Sequence, residues 1–260
     1  MSAAAGSVTS SGIDLSGVDR QAVAEARRDL AAALRLAHRH GLSEGICNHF
    51  SYALPGHEDL FLLNPYGRHW AEMRASDILL LDGAGRVLDG TGEPEVTALC
   101  IHGPVHRLCP EARAVLHTHM PYATSLSMLE DQTLLPLHQT ALRFWGQVAY
   151  DENFAGLAQE PAEGERLAGV LGDRQVLFMA NHGVMVAGPS IGQAFDRLYY
   201  LERACRQQIE AMQTGRPLRP VSANVAGFTA AQYAAINDYG EDHFRALKRL
   251  LDRDGEDYAA

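Results

Sequence analysis

The sequence predicts an α/β protein in which a mixed or antiparallel sheet is covered by helices. Three features carry that expectation. Short apolar runs bounded by turn residues recur between residues 60 and 119, and again between 175 and 187. They do not alternate regularly with helical patterns, as a parallel doubly wound sheet would require. Helical periodicity both opens and closes the chain.

Residues 1–18 are small and polar, the composition of a disordered segment. One domain over residues 19–260, with a C-terminal helical tail, is therefore expected. From Asp19, the residues Val23, Ala26, Leu30, Ala33, Leu34 and Ala37 recur every three or four positions and mark a helix that Gly41 ends. Residues 60–64, 78–82 and 86–88 read as strands, the last two joined by Gly83-Ala84-Gly85 as a hairpin. Residues 95–107 read as helical, with a kink or break at Gly103-Pro104, because proline lacks an N–H and crowds the preceding turn.

Residues 113–119 form a strand candidate and 121–128 a short helix. Two more strands, 175–180 and 184–187, are joined by Asn181-His182-Gly183. The longest helix is expected from Ser190 to about Thr214. A Ser190–Gln193 capping box opens it, and one apolar stripe runs from Ile191 to Met212. Shorter helices near 230–236 and 241–251 close the chain.

The bulk properties exclude several classes. At 260 residues the chain can bury a substantial core, and 47 % apolar with 21 % charged residues is ordinary for a globular protein. A net charge of −10 with no basic concentration argues against a nucleic-acid partner. No run approaches the ~20 apolar residues of a membrane helix, so no membrane partner is expected. MSAAAGSVTSSG does not read as a secretion signal. Cys47, Cys100, Cys109 and Cys205 show no CxxC spacing and no disulfide framework, which fits a reducing, cytoplasmic compartment. Cys47 itself reads as a small buried residue.

The chemistry begins at Val115-Leu116-His117-Thr118-His119. Alternate residues of a strand share a face and lie about 6.8 Å apart, so two imidazoles can lean onto one ion. His182 is the best third ligand, because a tight turn between two strands can aim it back at the sheet. Three imidazoles with an open position are a catalytic rather than a structural metal pattern. With twelve histidines, one His-x-His pair can also arise by chance, and His182 could be a hydrogen-bonded turn residue.

The surrounding text settles the weighting. CNHFSY (47–52), NPYG (64–67), ASDILLLD (75–82), HRLCPEARAVLHTHMPYAT (106–124), LFMANHGVMVAG (177–188) and YYLERAC (199–205) resemble the class II aldolase/adducin-type domain. The resemblance implies a three-layer αβα fold with a central, largely antiparallel sheet. It also implies a homotetramer with sites near subunit interfaces, a small-molecule substrate, and a divalent metal held by His117, His119 and His182. Zinc is the first choice, with manganese, iron or cobalt as alternatives.

The departures from the family pattern bear on the reaction. The acid/base glutamate of the sugar-phosphate aldolases matches Ala98. Their small phosphate-binding hydroxyl residues match Val96 and Thr97. The threonine before the phosphate-loop glycine is Tyr66, before Gly67, and a proton-donating tyrosine matches Thr140. Sugar-phosphate aldolase activity is therefore not expected, although Gly67, Thr97 and Thr140 remain candidate substrate-binding residues.

The resemblance places Asn48 and His49 in the loop that touches substrate in the aldolase-like enzymes. Asn48 is a candidate substrate ligand and His49 a candidate proton carrier, since an unperturbed imidazole exchanges protons near neutral pH. The opposing reading of His49 is a buried histidine that holds its loop. His138 is a second catalytic candidate that could face the site from a neighbouring subunit, or be a surface histidine. Glu93 or Glu95 could replace the missing carboxylate, and His69 or Arg143 could anchor a substrate carboxylate.

Decarboxylation tolerates the missing glutamate better than aldol chemistry does, because its carbon–carbon cleavage needs no base to begin. The expected function is thus a metal-dependent lyase of aldolase or decarboxylase type that stabilises an enolate. A non-haem iron oxygenase and a non-catalytic adducin-like head are the alternatives.

Overall fold

The computed structural model describes residues 17–57, 59–236 and 238–260, so the expectation for residues 1–16 lies outside the described residues. Eight strands form one sheet, in the order β4-β3-β2-β1-β5-β8-β7-β6. They are β1 (His49–Ala53), β2 (Leu60–Leu63), β3 (Leu79–Asp82), β4 (Val87–Asp89), β5 (Ala114–Thr118), β6 (Val148–Asp151), β7 (Val176–Met179) and β8 (Gly183–Gly188). Every neighbouring pair is antiparallel except β6 with β7.

Seven α-helices accompany the sheet: α1 (Arg20–Arg39), α2 (Val96–Leu108), α3 (Pro121–Ser127), α4 (Pro161–Leu171), α5 (Ile191–Gln213), α6 (Ala223–Ala234) and α7 (Tyr239–Arg253). The period-two alternation of the strands divides the core in two. Phe50, Leu62, Leu116, Phe178, Val184 and Val186 pack under α1, α5 and α7. Val115, Leu177, Met179 and Met185 point the other way, against Ile101 and Val105 of α2 and Leu167 of α4. Helices therefore cover both faces of a largely antiparallel sheet, the three-layer αβα arrangement. No helix among the described residues is long and apolar enough to cross a membrane.

Several expectations need correction. The segment around His49 is not a loop: His49 begins a central strand hydrogen-bonded between β2 and β5. Strand β6 and helix α4 escaped notice because VAYD is short and α4 carries few large apolar residues among its glycines and charges. Helix α2 does not break at Gly103-Pro104.

Pro104 cannot donate to the Cys100 carbonyl one turn earlier, and that carbonyl is instead covered by the backbone of Gly164 in α4. A Cβ on Gly164 would lie 1.9 Å from the Cys100 oxygen. The two helices thus meet where one lacks an N–H and the other lacks a side chain. Helix α6 also begins seven residues before the expected 230, at Ala223. Cys47 is exposed rather than buried.

Candidate metal centre

His117 lies near the end of β5, on the face covered by α2 and α4, and His119 follows just beyond the strand. His182 is delivered by the turn between β7 and β8. That turn needs Asn181 at φ 57° and a glycine at 183, where a Cβ would meet the Thr118 carbonyl at 2.6 Å and the His119 ring at 2.9 Å. The close approach sets the ring centroid of His182 4.8 Å from His117 and 5.0 Å from His119.

The ring nitrogens are already sorted. His117 Nδ1 donates to the Val184 carbonyl at 3.0 Å, and His119 Nδ1 lies 2.6 Å from Glu44 Oε2. Both Nε2 atoms are left to face each other across 3.1 Å. Two nitrogens each ~2.05 Å from a tetrahedral zinc would be about 3.3 Å apart. One ligand atom from each of the three histidines lies within 4.8 Å of the others. Burial and the neighbouring imidazoles push His117 well below the ordinary histidine range and His182 down to about 4, so both are neutral and able to ligate at neutral pH. The donor set fits a divalent metal.

Glu44 escaped the sequence reading. It lies 75 residues before His119, and nothing local in Ser43-Glu44-Gly45 marks it as an imidazole's partner. A carboxylate that orients a metal-facing histidine is a common outer-shell device.

The β1–β5 register sets His49 directly opposite His117, with ring centroids 4.8 Å apart. His49 does not keep an ordinary pKa. Burial first, then the rings of His102, His119 and His182, lower it well below 6.5, so it rests as a neutral base. Asn48, the residue before it, is buried with φ 118°, an unfavourable backbone for a non-glycine residue. Its Oδ1 accepts from the Glu44 N–H at 3.0 Å, while its Nδ2 is buried with no partner. A buried, unsatisfied donor at a strained position fits a ligand oxygen.

Among the described residues, none of the remaining candidates hydrogen-bonds to a histidine of this cluster. The Thr97 hydroxyl donates to Glu95 Oε1 at 2.9 Å. Gly67 occupies an exposed turn at φ 79°. Thr140 precedes the short 3-10 turn Ala141–Phe144. His138 makes no ring contact with the cluster within this chain, and its Nε2 is buried without a partner. Glu93 and Glu95 make no hydrogen bond to any histidine of the cluster among the described residues. His69 caps the 3-10 turn Trp70–Glu72, and Arg143 is paired with Asp196 and stacked 4.1 Å over Tyr200. Ala98, which the resemblance sets at the aldolase glutamate position, is buried in an apolar cluster with Phe61, Leu63, Leu79 and Leu81.

The family model described as Class II Aldolase and Adducin N-terminal domain matches residues 28–209. A crystal structure of an aldolase II superfamily protein from Pseudomonas syringae superposes with a TM-score of 0.85 at 34 % identity, over 94 % of this chain and 98 % of that one. The chain is 28 % identical to Decarboxylase NovR of Streptomyces niveus, over 84 % of this chain and 83 % of the relative. It is also 28 % identical to a 4-hydroxy-3-prenylphenylpyruvate oxygenase/4-hydroxy-3-prenylbenzoate synthase of Streptomyces roseochromogenus, over 85 % of this chain and 82 % of the relative. A three-histidine cluster, a sheet order built around it and a match over most of the length lead to one assignment: the chain belongs to the class II aldolase and adducin N-terminal domain family.

Proposed function

We propose that the protein is a cytoplasmic, divalent-metal-dependent lyase that cleaves a carbon–carbon bond in a small oxygenated carbonyl or carboxylate substrate. The observation that carries this reading is the pair of His117 and His119 Nε2 atoms 3.1 Å apart, with His182 beside them and a neutral His49 against His117. A divalent ion there, zinc before manganese, iron or cobalt, would supply Lewis-acid stabilisation of negative charge developing on a substrate oxygen. Asn48 Nδ2 is suited to hold a substrate oxygen, since it has no partner of its own. His49, held neutral, accepts a proton from a substrate hydroxyl in aldol-type cleavage and returns it to carbon. In decarboxylation it relays one proton from water to the carbon that has lost carbon dioxide.

Ala98 in the apolar core favours decarboxylation, which needs no base to begin. On the same reading the working form is a homotetramer, with Gly67 and Thr97 of one subunit and His138 and Thr140 of a neighbour lining the substrate cavity.

The test is metal analysis of protein purified without chelator, followed by anaerobic assay of the zinc- or manganese-loaded protein on β-oxo acids, hydroxy-keto acids and sugar phosphates. Carbon dioxide or aldehyde released without oxygen, and lost with the metal, supports the lyase. No turnover of sugar phosphates is expected. The similarity to a named oxygenase over 85 % of this chain favours a second reading. Stoichiometric iron with oxygen-dependent turnover would establish that reading and overturn the lyase. A protein that holds no metal would point instead to an adducin-like structural role.

A further inference from the structure

Behind His49 lies a row of buried polar side chains that the proposed chemistry does not use. The pleat of β1 sets His49 and Ser51 on one face, and the i, i+4 spacing of α2 sets His102 and His106 on the opposing one. The two pairs interleave. His49 Nδ1 is 2.6 Å from His102 Nε2, His102 Nδ1 meets Ser51 Oγ, Ser51 Oγ is 2.7 Å from His106 Nε2, and His106 Nδ1 is 2.9 Å from the Ala112 carbonyl. All four side chains are buried, and among the described residues none of them hydrogen-bonds to a carboxylate. Each ring is therefore neutral and carries one N–H.

The direction of every hydrogen bond follows from the far end. A carbonyl only accepts, so His106 Nδ1 carries the proton and His106 Nε2 holds a lone pair. Ser51 must then donate its single proton to His106. Its oxygen is left to accept from His102 Nδ1. His102 Nε2, now unprotonated, accepts from His49 Nδ1. His49 is left with its lone pair on Nε2.

We infer that the row Ala112–His106–Ser51–His102 sets the tautomer of His49, presenting an unprotonated Nε2 beside the three-histidine cluster. Ser51, His102 and His106 are positioning residues. The catalytic consequence rests on His49 being the proton carrier, but the tautomer itself does not. The row has the logic of a buried acceptor that holds a catalytic imidazole in one tautomer, with a backbone carbonyl as the final acceptor in place of a carboxylate.

The experiment uses zinc-loaded, full-length protein labelled with nitrogen-15 in its imidazoles, with the His49 signals assigned by their loss in His49→Gln. The wild type is expected to show a protonated Nδ1 and an unprotonated Nε2. Ser51→Ala removes the link and should shift the His49 proton towards Nε2. Ser51→Thr keeps the hydroxyl and should leave it on Nδ1. With metal content and KM unchanged, kcat should fall about tenfold to a hundredfold in Ser51→Ala and recover in Ser51→Thr. A wild-type His49 protonated on Nε2 overturns the inference, as does a Ser51→Ala protein whose His49 tautomer is unchanged. The wild-type spectrum decides even if Ser51→Ala does not fold. The expected tautomer together with full turnover in His49→Gln would sustain the row while removing His49 as proton carrier.

Discussion

Glu44 Oε2 lies 2.6 Å from His119 Nδ1, so a carboxylate that is itself largely exposed aims an imidazole of the candidate metal cluster. Glu44→Gln keeps the size of the side chain and removes its charge. Outer-shell changes of this kind typically weaken metal binding by about 10- to 100-fold, and exposure should hold this one near the lower end. Competition with a chelator checks it, and an unchanged affinity would show that the contact does not tune the metal.

His117→Ala, His119→Ala and His182→Ala should each remove most bound metal. The apolar clusters on the two faces of the sheet are built from other residues, so secondary structure should persist, with about 0.5–3 kcal/mol lost. Elemental analysis beside far-ultraviolet circular dichroism reads both quantities. Stoichiometric metal in any of the three variants would remove that residue from the ligand set.

His49→Gln fills a similar volume opposite His117 and abolishes proton exchange. Turnover should drop roughly 10²-fold or more, the usual range for a lost general acid or base, with metal content unchanged. If turnover persists, His138 from a neighbouring subunit is the next candidate.

Acid should destabilise the metal-free protein well before its carboxylates titrate. Burial pushes His106 down to about 4, against 6.5 in the unfolded chain. Above pH 6.5 neither state holds the proton and there is no cost. As pH falls, the unfolded chain takes up the proton first, so stability declines from pH 6.5 and the loss is complete near pH 4. A shift of that size corresponds to about 3 kcal/mol from His106 alone, and His49 and His102 add in the same direction. Urea titrations at pH 7.5 and pH 5 measure it, and equal stability at the two values would contradict the neutral-histidine core.

Gly164→Ala should lower stability by about 1–3 kcal/mol, the usual cost of overpacking, because its Cβ would strike the Cys100 carbonyl at 1.9 Å. Gly103→Ala in the same helical layer is the control. No atom lies within 4 Å of a Cβ there, so the gain in helix propensity should stabilise by about 0.5–1 kcal/mol. Thermal melts of the pair separate contact from propensity.

The sequence by itself determined the helices at both ends, most of the strands and the three histidines that the fold brings into one cluster. In each case the signal is local: a 3.6-residue stripe, a run between turns, His-x-His on a strand, and His182 in a tight Asn-His-Gly connection. Only the tertiary structure decided what surrounds them. That His49 stands opposite His117 depends on the β1–β5 register, which pairs residues 68 positions apart. That Glu44 reaches His119 depends on where the chain enters β1, and the close approach of α2 and α4 beside Pro104 depends on the missing side chain of Gly164. The neutrality of His49, His102 and His106 likewise comes from desolvation, which exists only once the sheet and α2 close over them. Periodicity records which face a residue turns inward, whereas the partner it meets there is set by long-range packing.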